Sequence, residues 1–147
     1  SIEQIVKDKF LNAVLSESMR LYPPAWISDR VAMNDDVYRD FKIPAETIVI
    51  LYYYGLHRDP QHWDKPELFD PGRFMADAGG KSTSKIFYPF GAGPRLCIGN
   101  SFAISEMTIS LQALVRKYFF LPEDHVPTIK PLVTLRPDQV LLKIVQR

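Results

Sequence analysis

The chain has 147 residues, of which 46% are hydrophobic, 24% charged and 12% aromatic, so it is long enough for one domain with its own core. Its 18 basic and 17 acidic residues give a formal net charge of +1, which gives no reason to expect nucleic acid or an acidic surface as a partner. The single cysteine, Cys97, excludes an intrachain disulfide. No secretory signal pattern opens the chain, and the longest apolar run, Thr47 to Leu56, is too short to span a bilayer and predicts a buried strand.

The first part of the chain predicts a helix followed by extended pieces. Apolar residues recur at helical spacing from Val6 to Leu21, and Pro23-Pro24 ends this helix. A carboxylate, Glu17, interrupts the apolar stripe, and Arg20 follows it at i+3. Three extended pieces come next: Trp26-Ile27, Val37 to Ile43 and Thr47 to Tyr54. The two longer pieces are predicted to pair as a hairpin.

The second part of the chain predicts an irregular segment, a helix and short strands. Prolines and aromatic residues punctuate the stretch from Asp59 to Phe74, which predicts an irregular segment packed on the core. Glycines and serines at 78–84 predict a flexible loop tip. Residues Ser101 to Tyr118 predict a helix with one apolar face. The tail from Pro127 predicts two short strands around Arg136-Pro137-Asp138, ending in the run from Val140 to Val145.

The stretch from Phe90 to Gly99 reads Phe-Gly-Ala-Gly-Pro-Arg-Leu-Cys-Ile-Gly. Its glycines predict positive φ angles or a close approach of the backbone to another group. Cys97 lies just before a helix, where unpaired N–H groups and the positive end of the helix dipole favour thiolate over thiol. Arg95 offers a cation to an anionic group of the same ligand. The predicted apolar shell of the sulfur consists of Phe90, Leu96 and Ile98.

Three kinds of cysteine chemistry can be considered for this loop: haem ligation, zinc binding and nucleophilic catalysis. A thiolate beside an arginine suits an iron porphyrin with its carboxylates. Zinc fits poorly, because one cysteine and the three histidines show no ligand spacing. A nucleophilic cysteine stays open, although His57 could act as its base only if the fold brings it close.

The pattern Phe-x-x-Gly-x-Arg-x-Cys-x-Gly resembles the cytochrome P-450 signature at every fixed position: Phe90, Gly93, Arg95, Cys97 and Gly99. Ala103 and Glu106 also stand where the family's following helix usually has them. The resemblance implies haem b (iron protoporphyrin IX), with Cys97 as proximal ligand to the iron. It also implies cofactor contacts around the loop, at Phe90, Gly91, Gly93, Arg95 and Gly99.

Two further matches come in the family's order. Glu17-Ser18-Met19-Arg20 resembles the Glu-x-x-Arg pair of the K helix, and Arg73 stands where the family supplies a second arginine. The family often has Glu where this chain has Gly72. The resemblance implies a structural triad of Glu17, Arg20 and Arg73, which locks the meander under the cysteine loop.

The resemblance suggests further contacts with haem and substrate. Arg30 and His57 are candidates for the haem propionates, against a plain surface arginine and a satisfied structural histidine. The candidate substrate contacts are Ala25, Trp26, Ile27, Leu132 and Val133, against ordinary core packing.

The expected fold is an α+β fragment of the mainly α cytochrome P-450 fold. Its expected parts are the Glu-x-x-Arg helix, small β-hairpins, an irregular meander, the cysteine-ligand loop, a long helix after it and C-terminal strands. The resemblance implies that residues 1–147 are the C-terminal haem-binding part, and the start without Met inside a helical pattern leads us to expect a truncated piece. The N-terminal part with the distal helix is expected to be a separate, missing portion, so this piece alone is expected to be inactive.

The implied activity of the parent protein is a monooxygenase that inserts one oxygen atom from dioxygen into a small organic or lipid-like substrate. Electrons are expected from a ferredoxin, a flavodoxin-like domain or a reductase, with Lys81, Lys85 and Arg95 as candidate contacts. The expected location is cytoplasmic, or cytosol-facing if the parent carries a membrane anchor. The alternatives are a peroxide-rearranging relative, a non-catalytic haem-binding module and a stable core with an inert cysteine.

Overall fold

A computed structural model describes residues 7–75 and 85–147. Within these residues the helices are α1 (Lys9–Leu21), α2 (Tyr53–Leu56) and α3 (Asn100–Lys117). The strands are β1 (Ser28–Val31), β2 (Asp36–Tyr38), β3 (Phe41–Ile43), β4 (Ile48–Leu51), β5 (Tyr118–Pro122), β6 (Ile129–Pro131), β7 (Leu135–Pro137) and β8 (Leu142–Gln146). This mixture confirms the α+β character expected from the sequence.

Helix α1 carries most of the core of the described residues. The side chain of Asp8 caps the helix by accepting a hydrogen bond from the N–H of Leu11 at 2.9 Å. The buried apolar side chains of α1 are Ala13, Leu15, Met19 and Leu21. Glu17 and Arg20 lie on the same buried face and have no exposed surface. The predicted start at Val6 lies outside the described residues.

Four two-stranded antiparallel sheets form in the described residues, pairing β1 with β4, β2 with β3, β5 with β8 and β6 with β7. The predicted hairpin between Val37–Ile43 and Thr47–Tyr54 is therefore wrong. A two-residue turn after Tyr38, in which Arg39 has a φ of 54°, brings Phe41 opposite Tyr38. This short turn makes β2 and β3, which both lie in the predicted piece Val37–Ile43, pair with each other. Strand β4, in the second predicted piece, pairs instead with β1.

The apolar run from Thr47 to Leu56 is not one buried strand. It divides into β4 and the helical turn α2, and β4 exposes more than half of the surface of Ile48 and Ile50. A two-stranded sheet covers only one of its faces, so alternate side chains of β4 lie outward. Tyr53, in α2, is the buried member of this run.

The C-terminal part differs from the prediction in two ways. The tail has three strands instead of two, because Arg136 and Pro137 belong to β7, which pairs with β6, and the run from Val140 contributes to β8. The predicted helix after the cysteine ends one residue early, at Lys117, and the aromatic residues from Tyr118 begin strand β5, which the sequence analysis missed. Aromatic side chains favour strands, and β8 supplies a partner for all five residues of β5.

The segment between α2 and the cysteine loop is irregular and packed, as predicted. Its regular structure within the described residues is one 3₁₀ turn, Pro71–Phe74. Trp63 is only 3% exposed, and its indole N–H donates to the carbonyl of Leu56 at 3.0 Å. The loop tip predicted at 78–84 lies outside the described residues.

Candidate functional site

A buried ion triad joins α1 to the irregular segment. The carboxylate of Glu17 accepts hydrogen bonds from Nε and Nη2 of Arg20 at 2.7 and 2.8 Å. Its Oε1 also accepts from the N–H of Asp70 at 2.8 Å and from Nε of Arg73 at 3.4 Å. The structure therefore brings together the three residues that the sequence analysis grouped as a triad.

Arg20 uses all five of its N–H donors. Two of them meet Glu17, as described. The other three meet backbone carbonyls: Nη1 donates to His57 and Pro66, both at 2.7 Å, and Nη2 donates to Leu68 at 3.2 Å. A fully paired guanidinium without exposed surface fixes the backbone of the irregular segment at three points along its length.

Arg73 holds the same segment from its outer side. Its Nη2 donates to the carbonyl oxygens of Lys65 and Leu68, at 3.0 and 3.5 Å. The charge of Glu17 is thus shared between two arginines, one fully buried and one with 11% of its side chain exposed. Such sharing offsets the cost of removing the carboxylate from water.

The backbone of the cysteine loop is shaped by two of its three glycines. Gly91 and Gly93 have φ angles of 74° and 67°, a region that side chains other than glycine rarely adopt. The N–H of Leu96 donates to the carbonyl of Gly93, and the N–H of Cys97 donates to the carbonyl of Phe90, both at 3.0 Å. The two bonds close the loop and bring Cys97 back toward its beginning.

Cys97 stands at the beginning of α3. Gly99 caps this helix with a φ of −86°, so it does not need the left-handed freedom of glycine. A Cβ at Gly99 would lie 3.8 Å from the sulfur of Cys97, which shows how near the sulfur is to the helix start. In the described part of the chain, the N–H groups of Ile98 and Gly99 donate to no acceptor.

The thiol of Cys97 is exposed. The apolar shell predicted around it is incomplete, because Leu96 and Ile98 are both exposed and only Phe90 is half-buried. The sulfur is accessible to a ligand, and the apolar side chains beside it offer an uncovered surface on which a flat apolar group can lie.

His57 lies beneath the loop and has no exposed surface. Its Nε2 accepts a hydrogen bond from the N–H of Tyr88 at 3.0 Å, and its ring centroid is 5.3 Å from that of Phe87. Burial of the ring, and then the guanidinium of Arg20, lower the pKa of His57 to about 4. A buried ring with this hydrogen bond corresponds to the structural histidine that the sequence analysis gave as the alternative.

Aromatic residues that the sequence analysis did not single out connect the irregular segment to the loop. The ring of Phe74 lies 6.1 Å from that of Trp63 and 4.7 Å from that of Phe87, measured between centroids. Tyr53 donates or accepts a hydrogen bond with Ser28 at 2.9 Å through its hydroxyl. The signal for these residues was the aromatic content of the segment, which indicates packing but does not indicate partners.

Arg30 borders the same region from strand β1. It is exposed, and its Nη1 donates to the carbonyl of Asp29 at 2.6 Å. A cleft of about 350 Å³ reaches from Arg30 to the cysteine loop, and its wall includes Tyr53, Tyr88 and Ala92.

Arg95, on the loop itself, is also exposed, and its side chain makes no hydrogen bond within the described residues. Arg30 and Arg95 therefore both present guanidinium groups that are accessible to an anionic ligand.

The candidate substrate segments lie side by side. The indole N–H of Trp26 donates to the carbonyl of Leu132 at 2.9 Å, and the N–H of Leu135 donates to the carbonyl of Pro24 at 2.9 Å. The tip of the β6–β7 hairpin carries Val133, which is 98% exposed. Ala25 and Ile27, on the facing segment, are exposed as well.

The side chains near Cys97 that could bind a metal fit one kind of metal site. Among the described residues, no group of three or more His, Cys, Asp or Glu side chains could hold a metal ion. One accessible sulfur beside a helix start, with the exposed guanidinium groups of Arg30 and Arg95 in the same region, instead fits a metal whose other ligands belong to a macrocycle with carboxylates. The chemistry of the site therefore fits haem better than a metal held by protein ligands alone.

A family model described as Cytochrome P450 matches residues 1–144, and the chain belongs to this family. Cytochrome P450 3A6 of Oryctolagus cuniculus is 38% identical over 149 residues, which cover 99% of this chain and 30% of the relative. Thromboxane-A synthase of Sus scrofa is 39% identical over 142 residues, 94% of this chain and 27% of the relative.

Solved structures give the same family. The crystal structure of the cytochrome P450DA heme domain matches with a TM-score of 0.92 at 26% identity, over all of this chain and 33% of that one. The chain thus spans about a third or less of the proteins that it resembles. In the described residues no helix has the length and apolar character needed to cross a membrane. The cytosolic or cytosol-facing location stays a prediction.

Proposed function

We propose that this chain is the C-terminal haem-binding part of a haem-thiolate monooxygenase, in which Cys97 is the proximal ligand of haem b. One observation carries the proposal: an exposed thiol stands at the start of a helix, in a loop shaped by two left-handed glycines. The membership of the family supports the same cofactor. The buried triad fixes the backbone of the irregular segment that precedes the loop, which suits a ligand that must meet iron at a fixed position.

The residues in and near the loop have separate roles in haem binding. Cys97, which is exposed just before the start of α3, would bind the haem iron through its sulfur. Arg95 and Arg30 pair with the carboxylates of the cofactor, because both guanidinium groups are exposed near the loop.

Two of the loop glycines keep the chain in its left-handed turns, and Phe90 closes the loop through its carbonyl. At Gly99 the absence of a side chain leaves the surface beside the sulfur open. When bound, a thiolate-ligated haem supplies the activation of dioxygen, since electron donation by the thiolate favours cleavage of the O–O bond.

The triad of Glu17, Arg20 and Arg73 is proposed to act on the cofactor only through the loop. Its three side chains are buried or nearly so. The two arginines donate to carbonyls of the irregular segment, and Glu17 accepts from the N–H of Asp70 in the same segment. We therefore expect its loss to reduce folding and haem incorporation together, rather than to slow one chemical step.

The proposed substrate is a small organic or lipid-like molecule. The joined segments around Trp26 and Leu132 present apolar side chains at Ile27 and Val133, which suits an apolar substrate. A relative in Mus musculus, 37% identical over 130 residues, is named leukotriene-B4 omega-hydroxylase 3. Electrons are proposed to come from a partner with an acidic face that meets Lys85. Lys81, the third candidate, lies outside the described residues.

Peroxide rearrangement, without dioxygen or a reductase, is a second candidate. A non-catalytic haem-binding role is the third candidate. Activity of the full-length protein distinguishes it from the other two.

Oxygen labelling of the full-length, haem-loaded protein tests these candidates together. Under ¹⁸O₂, with a reductase and an apolar test substrate, the proposal predicts one ¹⁸O atom in each product molecule and no product in the Cys97→Ala variant. Product formed from an unlabelled peroxide, without reductase and without ¹⁸O, would contradict the monooxygenase and support rearrangement. Haem binding without reaction on either substrate would leave the haem-binding role alone. Residues 1–147 by themselves are expected to turn over neither substrate.

A further inference from the structure

His57 connects the buried triad to the cysteine loop through two different groups. Its backbone carbonyl accepts from Nη1 of Arg20 at 2.7 Å, and its ring Nε2 accepts from the N–H of Tyr88 at 3.0 Å. Two residues after Tyr88, the carbonyl of Phe90 accepts from the N–H of Cys97. Three hydrogen bonds thus lead from the triad to the backbone of the proposed iron ligand.

The ring of His57 accepts the hydrogen bond from Tyr88 through one nitrogen and leaves its other nitrogen unpaired among the described residues. Since Nε2 is an acceptor, the neutral ring carries its proton on Nδ1, and Nδ1 is buried without a hydrogen-bond partner among the described residues. An apolar ring of the same size would fill the space beside Phe87 without burying an unpaired donor. The acceptor atom, rather than the volume of the ring, is therefore the property that distinguishes histidine here.

We propose that His57 is a positioning residue for the cysteine loop: its neutral ring holds the N–H of Tyr88 and so fixes where Cys97 presents its sulfur to the iron. This inference rests on the proposed haem-thiolate function and adds a residue that acts through the loop, without contact with the cofactor. The complete burial of the ring is what separates this role from binding of a propionate.

Two variants of the full-length protein distinguish the effect of the acceptor atom from the effect of the ring's volume. His57→Phe keeps an aromatic ring of similar size and removes the acceptor, whereas His57→Gln replaces the ring and retains an acceptor oxygen at similar reach. Amide exchange at Tyr88 reports on the hydrogen bond in the haem-free and the haem-loaded protein. The reduced, carbon monoxide-bound spectrum reports on the fraction of haem with thiolate ligation.

His57→Phe is expected to speed exchange of the Tyr88 amide by about tenfold, the factor that corresponds to the net value of a single hydrogen bond. It is also expected to lower the thiolate-ligated fraction, while amides in α1 keep their exchange rates. His57→Gln is expected to restore most of both losses. Equal behaviour of the two variants, or an unchanged Tyr88 exchange rate in His57→Phe, would overturn the inference.

A measurement on the unchanged protein covers the case in which His57→Phe does not fold. In the reduced, carbon monoxide-bound form, ¹⁵N spectroscopy of His57 must find the proton on Nδ1, and a proton on Nε2 overturns the inference. A wild-type protein without thiolate ligation overturns the proposed function and this inference with it. Thiolate ligation in the wild type together with unaltered His57 variants overturns the inference alone.

Discussion

Replacing Glu17 with Gln removes a buried negative charge and hardly changes the volume of the side chain. The carboxylate accepts four hydrogen bonds, two from Arg20, one from the N–H of Asp70 and one from Arg73. An amide has one oxygen and one NH₂ group, so at least one former acceptor position becomes a donor that faces another donor. Arg20 then keeps its charge without exposed surface and without a counter-charge of its own.

The expected loss of unfolding free energy follows from the burial of the Glu17–Arg20 ion pair. Breaking a buried ion pair by removing one partner costs roughly 3–5 kcal/mol, because the remaining charge stays unpaired out of water. We expect the free energy of unfolding of the full-length protein to fall by about that amount. Such a loss is a large part of the roughly 5–15 kcal/mol that stabilises a typical domain, so haem incorporation is expected to fall with it.

Urea unfolding of the haem-free and haem-loaded protein measures the loss, and the same substitution at Glu67 is the control. Glu67 also pairs with an arginine, Arg58, at 3.3 Å, but its side chain is 71% exposed. Glu67→Gln is expected to cost less than about 1 kcal/mol, as exposed ion pairs do. A similar small cost for Glu17→Gln, within about 1 kcal/mol of the wild type, would refute the reasoning from burial.

Three further predictions concern the same support of the loop. Arg20→Lys retains the charge but has three donors for five acceptors, so urea unfolding is expected to show a loss of about 2–4 kcal/mol, and a loss below about 1 kcal/mol would contradict it. Because burial and Arg20 lower the pKa of His57 from 6.5 to about 4, the folded state binds fewer protons than the unfolded state between these values. Stability is therefore expected to be intact above pH 6.5 and to fall by about 3 kcal/mol as the pH drops to 4, with a smaller fall in His57→Gln, measured by urea unfolding at each pH. Gly93→Ala must place a side chain at a φ of 67°, and we expect it to cost about 1–2 kcal/mol, whereas Gly99→Ala, at a φ of −86°, is expected to leave the haem-free protein within about 0.5 kcal/mol of the wild type. Equal losses in the two alanine variants would contradict that assignment.

Two residues of the triad, Glu17 and Arg20, were predictable from a local signal, whereas Arg73 was assigned by resemblance to the family. Glu17 interrupted an apolar stripe, and a carboxylate on a buried face requires a cation, which Arg20 supplies at i+3. The cysteine loop was predictable for a similar reason, since its glycines indicated unusual φ angles, and two of the three have them.

The strand pairing and the role of His57 were not predictable from local patterns. A two-residue turn near Arg39 and a pairing between β1 and β4 decide which strands meet, and the apolar pattern of the strands fits either arrangement. The bond from Tyr88 to the ring of His57 joins residues that are 31 positions apart. Its only signal in the sequence was a histidine next to a proline-punctuated segment.

The central claim is that the sulfur of Cys97 is bound to haem iron, and the absorbance spectrum of the reduced, carbon monoxide-treated full-length protein tests it most directly. The account predicts a strongly red-shifted Soret band in the wild type, its loss in Cys97→Ser, and its retention in His62→Gln, which removes an exposed alternative donor. A wild-type spectrum without that band, or a band that survives in Cys97→Ser, contradicts the claim.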